Sequence, residues 1–277
     1  MSEYKLIPIE TGYVKPGESL QKIYDRVLPF LEEGDYFVIA ETPVSISQGR
    51  LIDESEYGTS WKSIFLADVW SKYFWGYFLG PLLGIKKRTR DNLKKLPKES
   101  RRHKEVVLKN YGWKHALKPA SEAGIDLSNV PGTLVSMIPK DCDVLARNIA
   151  RDIKDLCGKE IIVLIVDTDA TYRFRNTYFT GLPEAINGIH SNLGVFAYFF
   201  GQIFNNEGST PLGCSEDISV EKALKLSNMC EDYQKSVEDN LETVYSMGDA
   251  LNSDVDDVTV DMLDSLKHTP VILVRDR

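Results

Sequence analysis

The residues best suited to chemistry stand in two places. Asp167-Thr168-Asp169 follows the apolar run Ile161 to Val166, and Asp126 lies upstream in Ala123-Gly124-Ile125-Asp126-Leu127-Ser128-Asn129. Two carboxylates around a hydroxyl make a hard-oxygen cluster. Mg²⁺ or Mn²⁺ prefers such donors, and phosphate oxygens can complete the shell. The same triplet could equally cap the segment after it. Arg173 and Arg175 follow closely. They could neutralise phosphate or carboxylate oxygens, or pair with Asp167 or Asp169. A third polar stretch, Glu41 to Arg50, holds Thr42, Ser45, Ser47, Gly49 and Arg50. Its hydroxyls, backbone N–H groups and guanidinium could hold a phosphate, although an ordinary polar turn reads the same way. His190 stands alone in an apolar stretch and is read as structural.

Several elements must position these groups. Ile161 to Val166 reads as a buried strand that ends at Asp167-Thr168-Asp169. Tyr36 to Ala40 reads as a second buried strand leading into the Glu41–Arg50 stretch. Before it, Glu18 to Leu31 has helical spacing, with Leu20, Ile23, Val27 and Leu31 on one face, and Gly34-Asp35 breaks it. Leu134 to Ile138 is a strand. A helix follows from Pro139, with Val144, Leu145, Ile149, Ile153 and Leu156 on one side. Asp141 or Asp143 is the expected N-cap, and Gly158 the C-cap. Lys5 to Ile9 and Thr269 to Val274 read as the first and last strands. Asn205 to Gly208 reads as a loop, and Val220 to Met247 as an amphipathic helical region.

Composition sets the outer bounds. The chain has 277 residues, 43% of them hydrophobic, enough for one large domain or two small ones with a proper core. A net charge of −8 argues against wholesale nucleic-acid binding. The four cysteines form no CxxC pair, which points to reduced thiols in a cytoplasmic protein. Met1 to Glu10 has no long apolar run, so no leader is expected.

Charge is uneven. Lys86 to Lys104 carries ten Lys/Arg against two acids, and Glu216 to Asp264 fourteen acids against three Lys. Both blocks read as solvated faces. Ser63 to Ile85 is rich in aromatics and long enough to raise a membrane question. Asp68, Lys72 and the Gly80-Pro81 break argue against a span. A buried helix or a dimer contact is the preferred reading over an interfacial hairpin on an anionic membrane.

The motif Ala123 to Asn129, with Val166-Asp167-Thr168-Asp169 after a helix, resembles the coenzyme F420-0:gamma-glutamyl ligase family. Pro8-Ile9-Glu10, Glu33-Gly34-Asp35, Ser47-Gln48-Gly49-Arg50 and Pro139 with Asp141, Asp143 and Ala146 match further motifs in order. The similarity covers most of 5–53 and 120–189. Segment 54–118 looks like an aromatic and basic insertion, and 216–264 is an acidic helical C-terminal region of what is read as a single ligase-like chain, 1–277.

The resemblance implies an α+β fold with mixed sheets, packed helices and an intertwined homodimer. It implies a GTP- and metal-dependent ligase that adds L-glutamate to a carboxylate acceptor, the deazaflavin coenzyme or another, through an acyl phosphate. Asp126 and Asp167 would ligate one metal, Mg²⁺ or Mn²⁺, and Thr168 would help bind a second. Thr42 and Asn129 would contact nucleotide. Arg50 is added to that set from its place after the strand.

The chain departs from the family pattern at four points. Ile46 stands where the family has a Lys, Glu41 where it has a Ser, Glu122 where it has an Asn, and Asp169-Ala170-Thr171 where it tends to have Asn-Gly-Arg. Metal ligands are thus kept better than nucleotide ligands. The alternative expectation is a nucleotide- or metal-binding relative, or an interaction module, without ligase activity.

Overall fold

In the computed structural model, which describes residues 4–119, 124–237, 251, 253 and 257–277, the strands are β1 (Tyr4–Ile9), β2 (Tyr36–Ala40), β3 (Leu51–Asp53), β4 (Ile125–Asp126), β5 (Leu134–Met137), β6 (Ile162–Phe174), β7 (Thr177–Thr180), β8 (Ile189–His190), β9 (Asn205–Cys214) and β10 (Val271–Asp276). The helices are α1 (Gln21–Val27), α2 (Glu41–Ser47), α3 (Trp61–Ile64), α4 (Gly80–Leu82), α5 (Lys87–Lys94), α6 (Ser100–Tyr111), α7 (Trp113–Ala116), α8 (Cys142–Cys157), α9 (Val195–Gly201), α10 (Val220–Val237) and α11 (Val260–Asp264). A π-helix, Phe65–Leu79, joins α3 to α4. The result is an α+β fold with mixed sheets and packed helices.

The larger sheet runs β1-β10-β2-β6-β7-β8, with β9 also paired to β6. β2 and β6 are parallel, whereas β10 is antiparallel to both β1 and β2. The last strand is therefore interior to the sheet. Alternation of side chains sends Phe37, Ile39, Val163, Ile165, Val271 and Leu273 to one face, packed with Ile23, Val27, Ala146 and Ile153 of α1 and α8. Tyr36, Val38, Leu164, Ile272 and Val274 go to the other face, packed with Ala223, Leu224 and Leu226 of α10. Both faces are covered, which is why these strands read as continuous apolar runs.

The smaller sheet, β3-β5-β4, is antiparallel. Segment 54–118 packs on it: Leu66, Val106, Val107 and Ala116 form one apolar cluster with Ile125, Val135 and Met137.

Leu20, Ile23, Val27 and Leu31 are buried together, as their spacing predicts. Gly158 closes α8 with a left-handed backbone, φ 73°, which glycine adopts without Cβ strain. Other expectations need correction. Asp141 holds the N-cap position of α8, as expected, but at φ 54° and without a side-chain cap bond, while Asp143 accepts the Cys214 N–H at 2.9 Å. Val144 and Leu156 point to solvent, because a narrower stripe suffices to meet the sheet. Asn205 to Gly208 is not a loop but the start of β9. The stretch after β2 is helix α2, whose Ser45 and Ile46 face inward. Residues 120–123, which include Glu122, and much of the acidic stretch within 238–256 lie outside the described residues.

Candidate functional site

The run at Ile161 does not stop at Asp167. β6 continues to Phe174, because Thr171 to Phe174 pair with Phe179 and its neighbours on β7. The acidic triplet sits within the strand, at an irregularity. Asp167 pairs with Thr210 of β9, and the next pair is Ala170 with Ser209, so Thr168 and Asp169 are extruded from the ladder. A bulge of this kind re-aims side chains. The Asp169 N–H folds back onto Asp167 Oδ1 at 2.6 Å.

Asp126 ends β4. Its Oδ1 accepts the Ser128 N–H at 2.9 Å and its Oδ2 the Ser128 hydroxyl at 2.6 Å. This local turn carries Asn129 at φ 57°, a conformation Asn tolerates. Glu41 opens α2 just past β2, where parallel pairing of β2 with β6 sets Ala40 beside Val166. The Thr42 hydroxyl donates to Glu41 Oε1 at 2.7 Å.

These acids feel one another's charge in a water-poor setting. Burial, then Asp126, pushes Glu41 up to about 7. Burial, then Glu41 and Asp169, holds Asp167 well above the usual carboxylate range. Burial raises Asp126 too, against the lowering effect of its Ser128 hydrogen bonds. A protonated Glu41 is thus favoured in the folded chain between its ordinary value of 4.5 and about 7. The stability from that protonation is fully present below 4.5 and is lost as pH rises through about 7. In a chelator, the thermal midpoint is therefore expected to fall between about pH 5 and pH 8. Saturating Mn²⁺ should flatten that slope, as a cation replaces the protons. An unchanged slope with Mn²⁺ would separate the acids from metal binding.

The donor set suits a hard divalent cation: two half-buried carboxylates, Asp126 and Asp167, and the exposed Thr168 hydroxyl. Among the described residues, no three carboxylate, imidazole or thiol groups close on one point. The protein donors therefore form a partial shell, the arrangement in which substrate phosphates and waters complete a Mg²⁺ site.

A cavity of about 470 Å³ opens beside the acids. Its wall brings together Thr42, Asp126, Asn129 and Thr168, with Glu41 and Ile46 among them. Asp167 is not among the residues of this wall. Arg50 is not in the wall; its Nε donates to the Ile138 carbonyl at 2.9 Å, tying α2 to the end of β5. Arg173 turns away as well and pairs with Glu207 at 2.7 Å.

The reading of the sequence missed the far side of the cavity: Gly12, Tyr13 and Val14, then Gln234 and Lys235 of α10, then Lys267, His268 and Thr269. Tyr13 and His268 face each other with ring centroids 5.5 Å apart. Lys267 is ion-paired with Glu10 at 3.3 Å, and Lys235 with Glu231. These two cations reach the cavity from the C-terminal half, where Ile46 supplies none. Gly12 beside the N-terminal strand was the available signal; the C-terminal residues carry no motif.

Segment 54–118 also reaches the acids. Lys118 is buried and its Nζ meets Asp169 Oδ2 at 2.6 Å. Lys104 donates to the Lys118 carbonyl at 2.6 Å and so fixes the backbone there. A buried pair broken from one side leaves an uncompensated charge. Lys118→Met should therefore cost about 3 kcal/mol in urea unfolding. Adding Asp169→Asn should restore most of that loss; strict additivity of the two substitutions would argue against the pairing.

Comparison with known proteins gives the family. The family model for F420-0:gamma-glutamyl ligase matches residues 8–276. The chain belongs to this ligase family. An uncharacterised protein of Methanocaldococcus jannaschii is 36% identical over 284 residues, covering 97% of this chain and 95% of the relative. A coenzyme F420:L-glutamate ligase of Methanopyrus kandleri is 28% identical over 58% of each chain. One of Methanothermobacter thermautotrophicus is 30% identical over 50% of this chain and 49% of the relative.

Proposed function

We propose that this member of the ligase family is a nucleotide- and metal-dependent amide ligase, with GTP as the phosphoryl donor and L-glutamate as the amine. The observation that carries this reading is the single cavity whose wall joins Thr42, Asn129, Asp126 and Thr168. Its size suits a nucleotide, and Asp126 in its wall offers a carboxylate for a phosphate-bound cation.

The reaction divides into two steps. A carboxylate oxygen of the acceptor attacks the γ-phosphorus, and GDP leaves. The amine nitrogen of glutamate then attacks the acyl carbon, loses a proton, and inorganic phosphate departs with the C–O bond. Phosphoryl transfer depends on positioning and charge neutralisation. A divalent cation held by Asp126, Asp167 and Thr168 would supply that neutralisation when bound. Thr42 and Asn129 hold the nucleotide, and Lys235 and Lys267 face its anionic groups. Ser128 fixes both oxygens of Asp126, so that carboxylate keeps one orientation throughout. A homodimer and a cytoplasmic location go with this reading.

Glu41 and Ile46 in the same wall favour a second reading, in which nucleotide or metal binds without turnover. Isothermal titration with GTP and ATP, with and without Mn²⁺, tests the binding. Phosphate release in the presence of glutamate and candidate carboxylates then tests turnover. Metal-dependent GTP binding with amide product supports the ligase; binding without product across acceptors supports the second reading. Binding of neither nucleotide nor Mn²⁺ would sink both.

A further inference from the structure

Ser63 to Ile85 reads from its sequence as a buried helix or a dimer contact, and the structure buries only part of it. One side of the π-helix is buried, with Leu66 and Trp75 inside. The other side is open and apolar. Tyr73 is 59% exposed, Phe78 64% and Leu82, at the tip, 72%. Exposed residues recur at Phe65, Val69, Tyr73 with Phe74, Phe78 and Leu82. Those steps suit the wider coil of i→i+5 bonding, about 4.4 residues per turn. The charged residues of this helix are engaged away from that face: Asp68 is held by Arg101 at 2.6 Å, and Lys72 donates to the Leu96 carbonyl.

The face is rigid as well as apolar. Tyr73 stacks on Tyr77 and Phe74 on Phe78. Behind them Trp75 packs edge-on against Tyr198. α5 returns along the helix, with the Arg90 stem against Gly80 and the Lys94 stem against Gly76. Lys94 Nζ lies 4.9 Å from the Tyr77 ring centre. Near the tip the exposed charged residues Lys86, Lys87, Arg88, Lys95 and Lys98 are cationic, with Asp91 paired to Lys94 and Glu99 further along.

We propose that this hairpin, the π-helix with α5, docks on an anionic lipid surface. Aromatic side chains and Leu82 would enter the headgroup boundary, and the lysines and arginine beside the tip would meet lipid phosphates. No helix among the described residues is long and apolar enough to cross a membrane, so the hairpin lies on the surface. Charge selects lipid over a second copy of this chain. A two-fold contact through this face would set the same cationic rim against itself. An anionic bilayer offers both the apolar layer and the opposite charge. This inference stands apart from the ligase reading and uses none of its residues.

The test is sedimentation of the full chain with vesicles of phosphatidylglycerol and phosphatidylcholine, and with phosphatidylcholine alone, at low and high salt. The expected result is binding to the anionic vesicles only, weakened by salt. Phe78→Asp with Leu82→Asp, and separately Lys86→Glu with Lys87→Glu and Arg88→Glu, should each weaken it by about tenfold or more. All five side chains are exposed, so thermal unfolding should be unchanged in both variants. Failure to bind anionic vesicles, equal binding to neutral ones, or variants that bind like wild type would overturn the proposal. So would light scattering that shows a dimer abolished by Phe78→Asp while vesicles stay unbound; the face would then belong to a second copy.

Discussion

Asp126→Asn and Asp167→Asn are each expected to lower Mn²⁺-dependent nucleotide affinity on the order of 100-fold, about 2.7 kcal/mol. Each removes one of the two carboxylates proposed to hold the cation, while leaving size and shape almost unchanged. Titration calorimetry reads the loss directly. A second readout has the opposite sign. In a chelator both variants should unfold at a higher temperature than wild type. Burial and the neighbouring acids penalise the charged forms of Asp126 and Asp167, and a neutral amide relieves that penalty. Weaker binding with greater metal-free stability is the signature of a cation site, because a merely structural acid would lose both. Affinity within about twofold of wild type would place the metal elsewhere.

Gly213→Ala is expected to be the most damaging change outside the acids. Gly213 pairs with Ile165 near the end of β9. A Cβ there would stand 2.3 Å from the Cys142 carbonyl carbon and 2.5 Å from its oxygen. These are backbone atoms at the start of α8, so no side-chain rotation relieves the clash. The helix must move off the sheet, and the Cys214 N–H to Asp143 bond goes with it. A loss of about 3 kcal/mol is expected in denaturant unfolding, at the upper end for overpacking. Nucleotide affinity should fall too, since β9 holds the bulge that presents Thr168. A variant as stable as wild type would mean that α8 and β9 are less tightly joined than this geometry requires.

The strands of the large sheet were legible for a simple reason. A strand buried on both faces must be apolar throughout, and Tyr36–Ala40 and Ile161–Val166 are. The one-sided α1 was legible from its period. The end of β6 was not, because polar residues after an apolar run look the same whether the strand stops or bulges. Only the pairing with β9 and β7 distinguishes them. Similarly, Glu41–Ser47 looked like a turn because Thr, Pro and Ser favour turns locally. Burial of Val44 and Ile46 against the core made it a helix.

By itself, the sequence determined the family, the apolar framework and the chemical type of the site. Short motifs indicate which side chains are acids, hydroxyls or amides, and the proposed site draws on Asp126, Asp167, Thr42, Thr168 and Asn129. It did not determine what those groups meet. Tertiary structure set Arg50 aside from the cavity, brought Lys235 and Lys267 to it, and buried Lys118 of segment 54–118 against Asp169. It also left one side of the aromatic helix uncovered. Each of these depends on contacts between residues far apart in the chain. Side-chain type sets what a residue can do, while the packing of distant elements sets where its charge and apolar surface go.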